Sequence, residues 1–256
     1  MQARALTFAA LASGVFFTGA VSGPVTTKYR IQQMTEQEVD LTAAGQGKQQ
    51  RRNSSSMFVA ITLSDSAAGR IAHFVVDSAI ADSTTTPDVK ASLDSLRGQA
   101  FHAFIDHGKV ATVKSMKDGQ AAAGMSVLIS ALTPRVKMGT KVGTTWTDTT
   151  DVTNDIPNGS MTVRTVTNYK ATGTETRDGV KALKVDATSS SALSGQQAGA
   201  TIEGTGSSNA TYYMAPDGRL VASNATSNST LALKTPQLPD PIPLTIKGTF
   251  SVTMIK

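Results

Sequence analysis

The stretch Leu244-Thr-Ile-Lys-Gly-Thr-Phe-Ser-Val-Thr-Met-Ile255 decides the fold. Every second residue (Leu244, Ile246, Gly248, Phe250, Val252 and Met254) is apolar or glycine, and those between (Thr245, Lys247, Thr249, Ser251, Thr253) are polar. A period of two places the first set on one face of a strand and the second on the other, as in an antiparallel sheet with one buried face. Gly248, in mid-strand, is expected to mark a bend or bulge.

The pattern recurs along the chain. Tyr29, Ile31, Val39 and Leu41 share a face opposite Arg30, Glu36, Glu38 and Asp40. Met57, Val59, Ile61 and Leu63 define a second strand, and Ser64–Gly69 turns the chain into Arg70–Ile80. Met161, Val163, Thr165, Thr167 and Tyr169 form one face of a long Thr-rich strand. Asp178-Gly179 is a hairpin turn into Val180–Thr188, and Pro216-Asp217-Gly218 joins Ala210–Ala215 to Arg219–Leu233. Ser and Thr make up nearly a quarter of the chain, and Thr suits a pleated surface that also meets water. Two polar stretches, Ala43–Ser56 and Ser189–Gly199, read as loops, and Pro236–Pro243 as a stiff connection.

Two helices interrupt the strands. Thr86 caps the first, Pro87 opens it, Val89, Leu93 and Leu96 lie at helical spacing, and Gly98 ends it. The second runs over 119–133, opening near Asp118, with Met125, Leu128, Ile129 and Leu132 on one face and Pro134 after it. Each has a single apolar stripe, so each is expected to lie on the sheet. The expected fold is mainly β: a curved antiparallel sheet or incomplete barrel of nine to twelve strands, with two short covering helices. Residues 23–256 read as a single β-rich domain, divisible into sheet modules 28–115 and 142–256 around the second helix. Phe101–Val110 and Thr211–Leu220 share a strand, Gly turn, basic, aliphatic order, an internal echo of hairpin grammar.

Residues 1–22 read as a secretory signal. Arg4 supplies the positive start, Ala5–Val21 an apolar run, and Ala20 and Ser22 the small residues for cleavage before Gly23. Cleavage takes the basic residues from 24 to 23 against 19 acidic, a net charge of +4. The expected location is the periplasm or beyond. With no cysteine, disulfides, thiolate metal sites and a cysteine nucleophile are excluded. The Lys48, Arg51, Arg52 cluster has no stacking aromatic beside it, so no nucleic-acid site is expected, and at most peripheral membrane contact.

Chemistry-bearing motifs are sparse. His102, Asp106 and His107 fall close together, but 102 and 107 are an odd number apart and point to opposite faces of a strand. They read as a strand histidine and a turn histidine, and neither a metal nor a cofactor is expected. There is no Gly-x-Ser-x-Gly, Ser-x-x-Lys or His-Glu-x-x-His. Glu36, Glu38, Glu175 and Glu203 are the strand-borne glutamates, and their polar neighbours place them on a solvated face. Gly195-x-x-x-Gly199 and Gly204-x-Gly206 lack a following helix and are not phosphate loops. No catalytic residue is assigned. The single tryptophan, Trp146, opens a strand after Val142-Gly143, and adjacent Tyr212 and Tyr213 face opposite sides.

Leu96-x-Gly98-x-x-Phe101, Asp106-x-Gly108-Lys109-Val110, Val142-Gly143-x-x-Trp146-Thr147, Tyr169-x-x-x-Gly173 and Asp178-Gly179-Val180 together resemble a group of exported bacterial β proteins of unknown function. Many of that group look like lipoproteins, and this chain departs from them in lacking cysteine. More distantly, a strand-rich sheet with covering helices is similar to the lipoprotein-carrier and lipid-binding half-barrels of bacterial envelopes. The expected function is a non-enzymatic module holding an apolar small molecule or lipid, with Leu244, Ile246, Phe250, Val252, Met254 and Trp146 as its ligand-binding residues, a set that equally describes an ordinary filled core. The alternatives are an accessory subunit docking onto an envelope protein partner, or a hydrolase around His102, Asp106 and His107.

Overall fold

A computed structural model describes residues 24–255 apart from 43–44, 67–68, 107–108, 116–121, 137–138, 157, 198, 237 and 239. The predicted signal at 1–22, the opening of the second helix near Asp118 and His107 all lie outside the described residues. Eleven strands are present: β1 (Val25–Asp40), β2 (Lys48–Ser66), β3 (Gly69–Ala81), β4 (Ala100–Asp106), β5 (Lys109–Ser115), β6 (Thr145–Ile156), β7 (Gly159–Arg177), β8 (Val180–Gln197), β9 (Ala200–Met214), β10 (Leu220–Lys234) and β11 (Ile242–Ile255). Helix α1 (Pro87–Leu96) lies between β3 and β4, and α2 (Ala122–Leu132) between β5 and β6.

All eleven strands hydrogen-bond into one curved antiparallel sheet in the order β5-β4-β3-β2-β1-β11-β10-β9-β8-β7-β6. Two meanders run outward from a central β1–β11 pair, so the first and last strands of the chain lie side by side. The sheet does not close: β5 and β6 are its two edges. Successive neighbours are antiparallel throughout, so with an odd number of strands the two edges run in the same direction. Closure would require a parallel pair there.

The turns follow from their residues. Asp178 and Gly179 both take positive φ (50° and 80°), the requirement of a two-residue turn matched to strand twist. Helix α1 starts at Pro87 as expected, but Thr86 makes no side-chain cap bond. Its backbone N–H instead donates to Asn53 Oδ1 (3.0 Å), tying the helix entry to β2.

Three expectations are corrected. Residues 48–56 are not a loop: they continue β2 and pair with β1 from Asp40↔Lys48 to Gln32↔Ser56. The cluster Lys48, Arg51 and Arg52 is therefore strand-borne, with Lys48 Nζ 3.0 Å from Glu38 Oε1. Residues 189–197 are not a loop either, but the second half of β8, paired to β7 and β9. Neither segment alternates apolar with polar residues, because neither lies over a core, and apolar alternation is a signal of burial rather than of strand pairing. Third, the register shifts fall at Phe58/Val59, Phe104/Ile105, Ala171/Gly173 and Leu220/Ala222, and Gly248 pairs regularly with Ser227 and Thr35. Gly248 reflects crowding: an added Cβ would come 2.7 Å from Ser227 Oγ.

The hydrophobic core lies on the face that carries the helices, here the inner face. Phe74, Phe101, Val76, Val59, Ile61, Tyr29 and Ile31 from β1–β4 meet Leu93 of α1 and Met125, Leu128, Ile129 and Leu132 of α2. Met214, Leu220 and Val252 extend this core under the central strands. The Tyr29 hydroxyl donates to the Leu220 carbonyl (3.0 Å) across the β1–β11–β10 seam. A small second cluster of Ala182, Tyr213, Ala215 and Val221 sits on the outer face near the β7–β10 turns, under an Arg177 guanidinium 4.2 Å from the Tyr213 ring centre. Tyr212 packs with the first cluster and Tyr213 with the second, on opposite faces as their adjacency demands.

Candidate functional site

Cross-strand register lays out the inner face of β6–β11 as rows. Phe250, Ala225, Ala210, Ala187, Tyr169 and Trp146 are successive partners from β11 to β6. One step further from the core come Gly248, Ser227, Ser208, Ser189, Thr167 and Asp148, then Ile246, Ser229, Gly206, Ser191, Thr165 and Thr150. The next row is Leu244, Leu231, Gly204, Leu193, Val163 and Val152, and beyond it lie Ile242, Leu233, Ile202 and Met161. An aromatic-bordered row of alanines thus gives way to a band of small hydroxyls and then to an apolar margin.

This face continues past the core. From Ser189 to the end of β8 is about 30 Å at roughly 3.3 Å per residue, and six strands span about 24 Å. Among the described residues no helix is packed on it, and the segment after α2 touches its margin at Asp148 through Arg135. Most inner side chains are nonetheless half-buried while their outward neighbours, such as Thr188, Ser190 and Ala192, are exposed. Curvature and mutual packing account for the difference. The hydroxyls satisfy one another across the strands: Thr167 with Ser189 at 2.8 Å and Thr165 with Ser191 at 2.9 Å. On the β7–β8 side of the band, where the hydroxyls are already hydrogen-bonded, covering them with an apolar group costs little.

The predicted ligand residues separate along this face. Val252 is 1% exposed and belongs to the core, with Phe250 and Met254 packed against it. Leu244 and Ile246 lie on the uncovered stretch, half-buried. Trp146 is in the same row as Phe250 but five strands away, its ring stacked on Tyr169 (4.9 Å between centres, 6° between planes). The chain after α2 reaches this margin, where the Arg135 guanidinium makes a close ion pair with the Asp148 carboxylate. Gly143 N–H donates to the Ala171 carbonyl and Ala171 N–H to that of Thr144, prolonging the β6–β7 ladder. Together α2 and its tail run from one sheet edge to the other. Burial, with the Asp148 charge adding to it, pushes the Tyr169 hydroxyl above its ordinary pKa.

The remaining candidates do not converge. Glu38 is bonded to Gln50 and Lys48, Glu175 to Arg177 and Lys184, and Glu203 to Lys234, all on the outer face. They are exposed ion pairs, and Asp40, beside Glu38 on the same face of β1, shares its Lys48 partner. His102 is strand-borne in β4 on the outer face, and Asp106 ends that strand. The outer face of β8–β11 and β1 carries two open grooves, of about 430 and 380 Å³. Asp186, Asn224, Asn209 and Thr226 are among the residues lining the first, and Asn228, Lys247 and Glu36 among those lining the second. Sequence reasoning missed the Ser189, Ser208 and Ser227 band, because serine on a strand carries no periodic signal of its own.

Fold and face define an open antiparallel β-sheet protein, covered by helices over part of its inner surface and, among the described residues, by no helix over the rest. No family model and no curated protein matches the chain. Among solved structures it is similar to a loop L8 deletion variant of OmpT, an outer membrane protein of Vibrio cholerae, at 8% identity over 91% of this chain and 99% of that one. The TM-score is 0.20, too low to carry an argument about fold or location. No helix among the described residues is long and apolar enough to cross a membrane.

Proposed function

We propose that this protein is a non-enzymatic module, exported to the periplasm or beyond, that holds an apolar ligand such as a lipid against the uncovered inner face of β6–β11. The observation that carries this reading is the stretch from Ser189 to Gln197 and its partners. There a surface of small side chains ends in an apolar margin of Leu244, Leu231, Leu193 and Val163, with no helix packed on it among the described residues. Alanine and serine leave room for a chain-like ligand, while Gly204 and Gly206 accommodate the neighbouring Leu231 and Ser229 side chains, and an apolar rim gives the ligand a surface to bury. Leu244 and Ile246 make the contact, while Val252 holds the core beneath.

The test uses the one tryptophan. Trp146 sits at the margin of the proposed site, so a dansyl-labelled fatty acid bound there quenches its emission and receives energy from it. Saturable transfer is expected, with apparent affinity reduced tenfold or more in Ile246→Lys. Organic extraction and mass spectrometry of the purified protein then name the natural cargo. No saturable transfer together with an empty extract overturns the carrier reading. The uncovered face would then be assigned to docking on a protein partner.

A further inference from the structure

We propose that His73 and His102 form a binding site for a divalent transition-metal ion of the zinc class. The two residues are direct cross-strand partners in the β3–β4 pair, on the outer face, opposite the buried partners Phe74 and Phe101. Their rings lie 4.8 Å apart between centres and 43° from coplanar. Zinc–nitrogen bonds of about 2.0–2.1 Å in a tetrahedral shell place two imidazole nitrogens about 3.3 Å from each other, a separation that rotation about the side-chain torsions reaches from this geometry.

A second observation points the same way. His73 Nδ1 is buried and has no hydrogen-bond partner, alone in this among the buried side-chain nitrogens and oxygens of the described residues. A buried nitrogen without a partner is costly, and a metal ion would satisfy it. The backbone under the pair is held from both sides: β3 is laddered to β2, and β4 to β5. The backbone positions that carry the two ligands are therefore fixed before the ion arrives, and only side-chain rotation is needed. Along the strands the pair is flanked by Ile71, Val75 and Phe104, and across them by Thr62 and Lys114. That surround supplies no carboxylate, so the protein contributes two neutral nitrogens and water completes the shell. No group of three or more His, Cys, Asp or Glu is placed to hold a metal among the described residues. Two imidazoles favour zinc, copper or nickel over magnesium or calcium, which prefer oxygen.

The experiment is titration of EDTA-stripped full-length protein with Zn²⁺, followed by calorimetry and by ¹⁵N shifts of the imidazole nitrogens. One ion per chain is expected, with shifts at His73 and His102 and no heat from Mg²⁺. His102→Gln, at an exposed position, should weaken binding tenfold or more without changing the circular dichroism melt, and His73→Gln should do the same. Zinc affinity unchanged in His102→Gln overturns the proposal, as does loss of binding only in His107→Gln. The readout is independent of the apolar face, so failure here leaves the carrier reading standing, and the reverse holds.

Discussion

Strand β3 keeps Ala72, Phe74 and Val76 fully buried on its inner face, with α1 packed against that strand. Strand β8 belongs to the same sheet. It buries Ala182, Val185 and Ala187, then runs on from Ser189 to Gln197 with no element above it among the described residues. Both are held by regular antiparallel ladders, so pairing alone does not separate them. What differs is the source of stability. At the covered end, apolar surface is removed from water by two helices packed on the sheet. At the bare end, backbone bonds, paired hydroxyls and curvature sustain a sheet one layer thick. The lesson is that a strand can be long for reasons its own side chains do not advertise.

The largest test of this contrast is a matched pair of truncations. Phe74 is 0% exposed and packs on Phe101 and Ile61, so Phe74→Ala should cost about 3–5 kcal/mol in urea unfolding. Leu193, half-buried between Gly204 and Val163, should cost about 1 kcal/mol when cut to alanine. Equal losses at the two sites would break the distinction, since they would require a packed layer over β8.

The covered end was the legible one. Tyr29, Ile31, Met57, Val59 and Ile61 alternate because a core lies beneath them, and the α1 stripe of Val89, Leu93 and Leu96 follows for the same reason. The C-terminal strand was legible too, but its single apolar face serves two ends: Val252 in the core, Leu244 and Ile246 beyond it. The bare end was opaque. Gln49–Ser56 and Ser189–Gln197 pair through their backbones and carry no apolar alternation, so the sequence alone reads them as loops. The His73–His102 partnership was hidden differently. Register between strands separated by a helix depends on how α1 and its connections return β4 alongside β3, which local pattern does not reveal.

A smaller effect comes from two tyrosines at the covered end. Burial raises Tyr29 and Tyr212 to about 12, from 10 when unfolded. For an acid whose folded pKa is raised, the neutral form favours the fold. Stability is fully present below pH 10 and falls as pH rises from 10 through 12. Two pH units correspond to about 2–3 kcal/mol for each group. Urea melts between pH 9 and 12 should show this slope, and Tyr29→Phe and Tyr212→Phe should each flatten it. Tyr29→Phe should also cost about 1 kcal/mol at neutral pH through the lost bond to Leu220. An unchanged slope in the double variant would assign the alkaline loss to other groups and remove these tyrosines from the contrast.

The smallest predicted effect is the sharpest probe of the bare end. Ser208 faces inward between Ser189 and Ser227, in the middle of the hydroxyl band. Ser189 bonds Thr167 instead of Ser208, so Ser208→Val leaves that pair intact and adds a β-branched side chain to a pleated position. If the face is open, the change should lie within about 0.5 kcal/mol of wild type, as at an ordinary surface site. Ser223, two rows nearer the core and 2% exposed, is the control: its partners are Tyr212 and Val252, and a larger side chain there must displace them. Ser223→Val should therefore cost more, about 1–3 kcal/mol. In the ligand titration the order should invert. Ser208→Val narrows the proposed trough and should change the affinity for the dansyl fatty acid, whereas Ser223→Val should leave it near wild type once the protein is folded. A loss of stability at Ser208 as large as that at Ser223, in protein stripped of lipid, would mean that the bare end is already covered in the free molecule, and the site would have to be sought elsewhere.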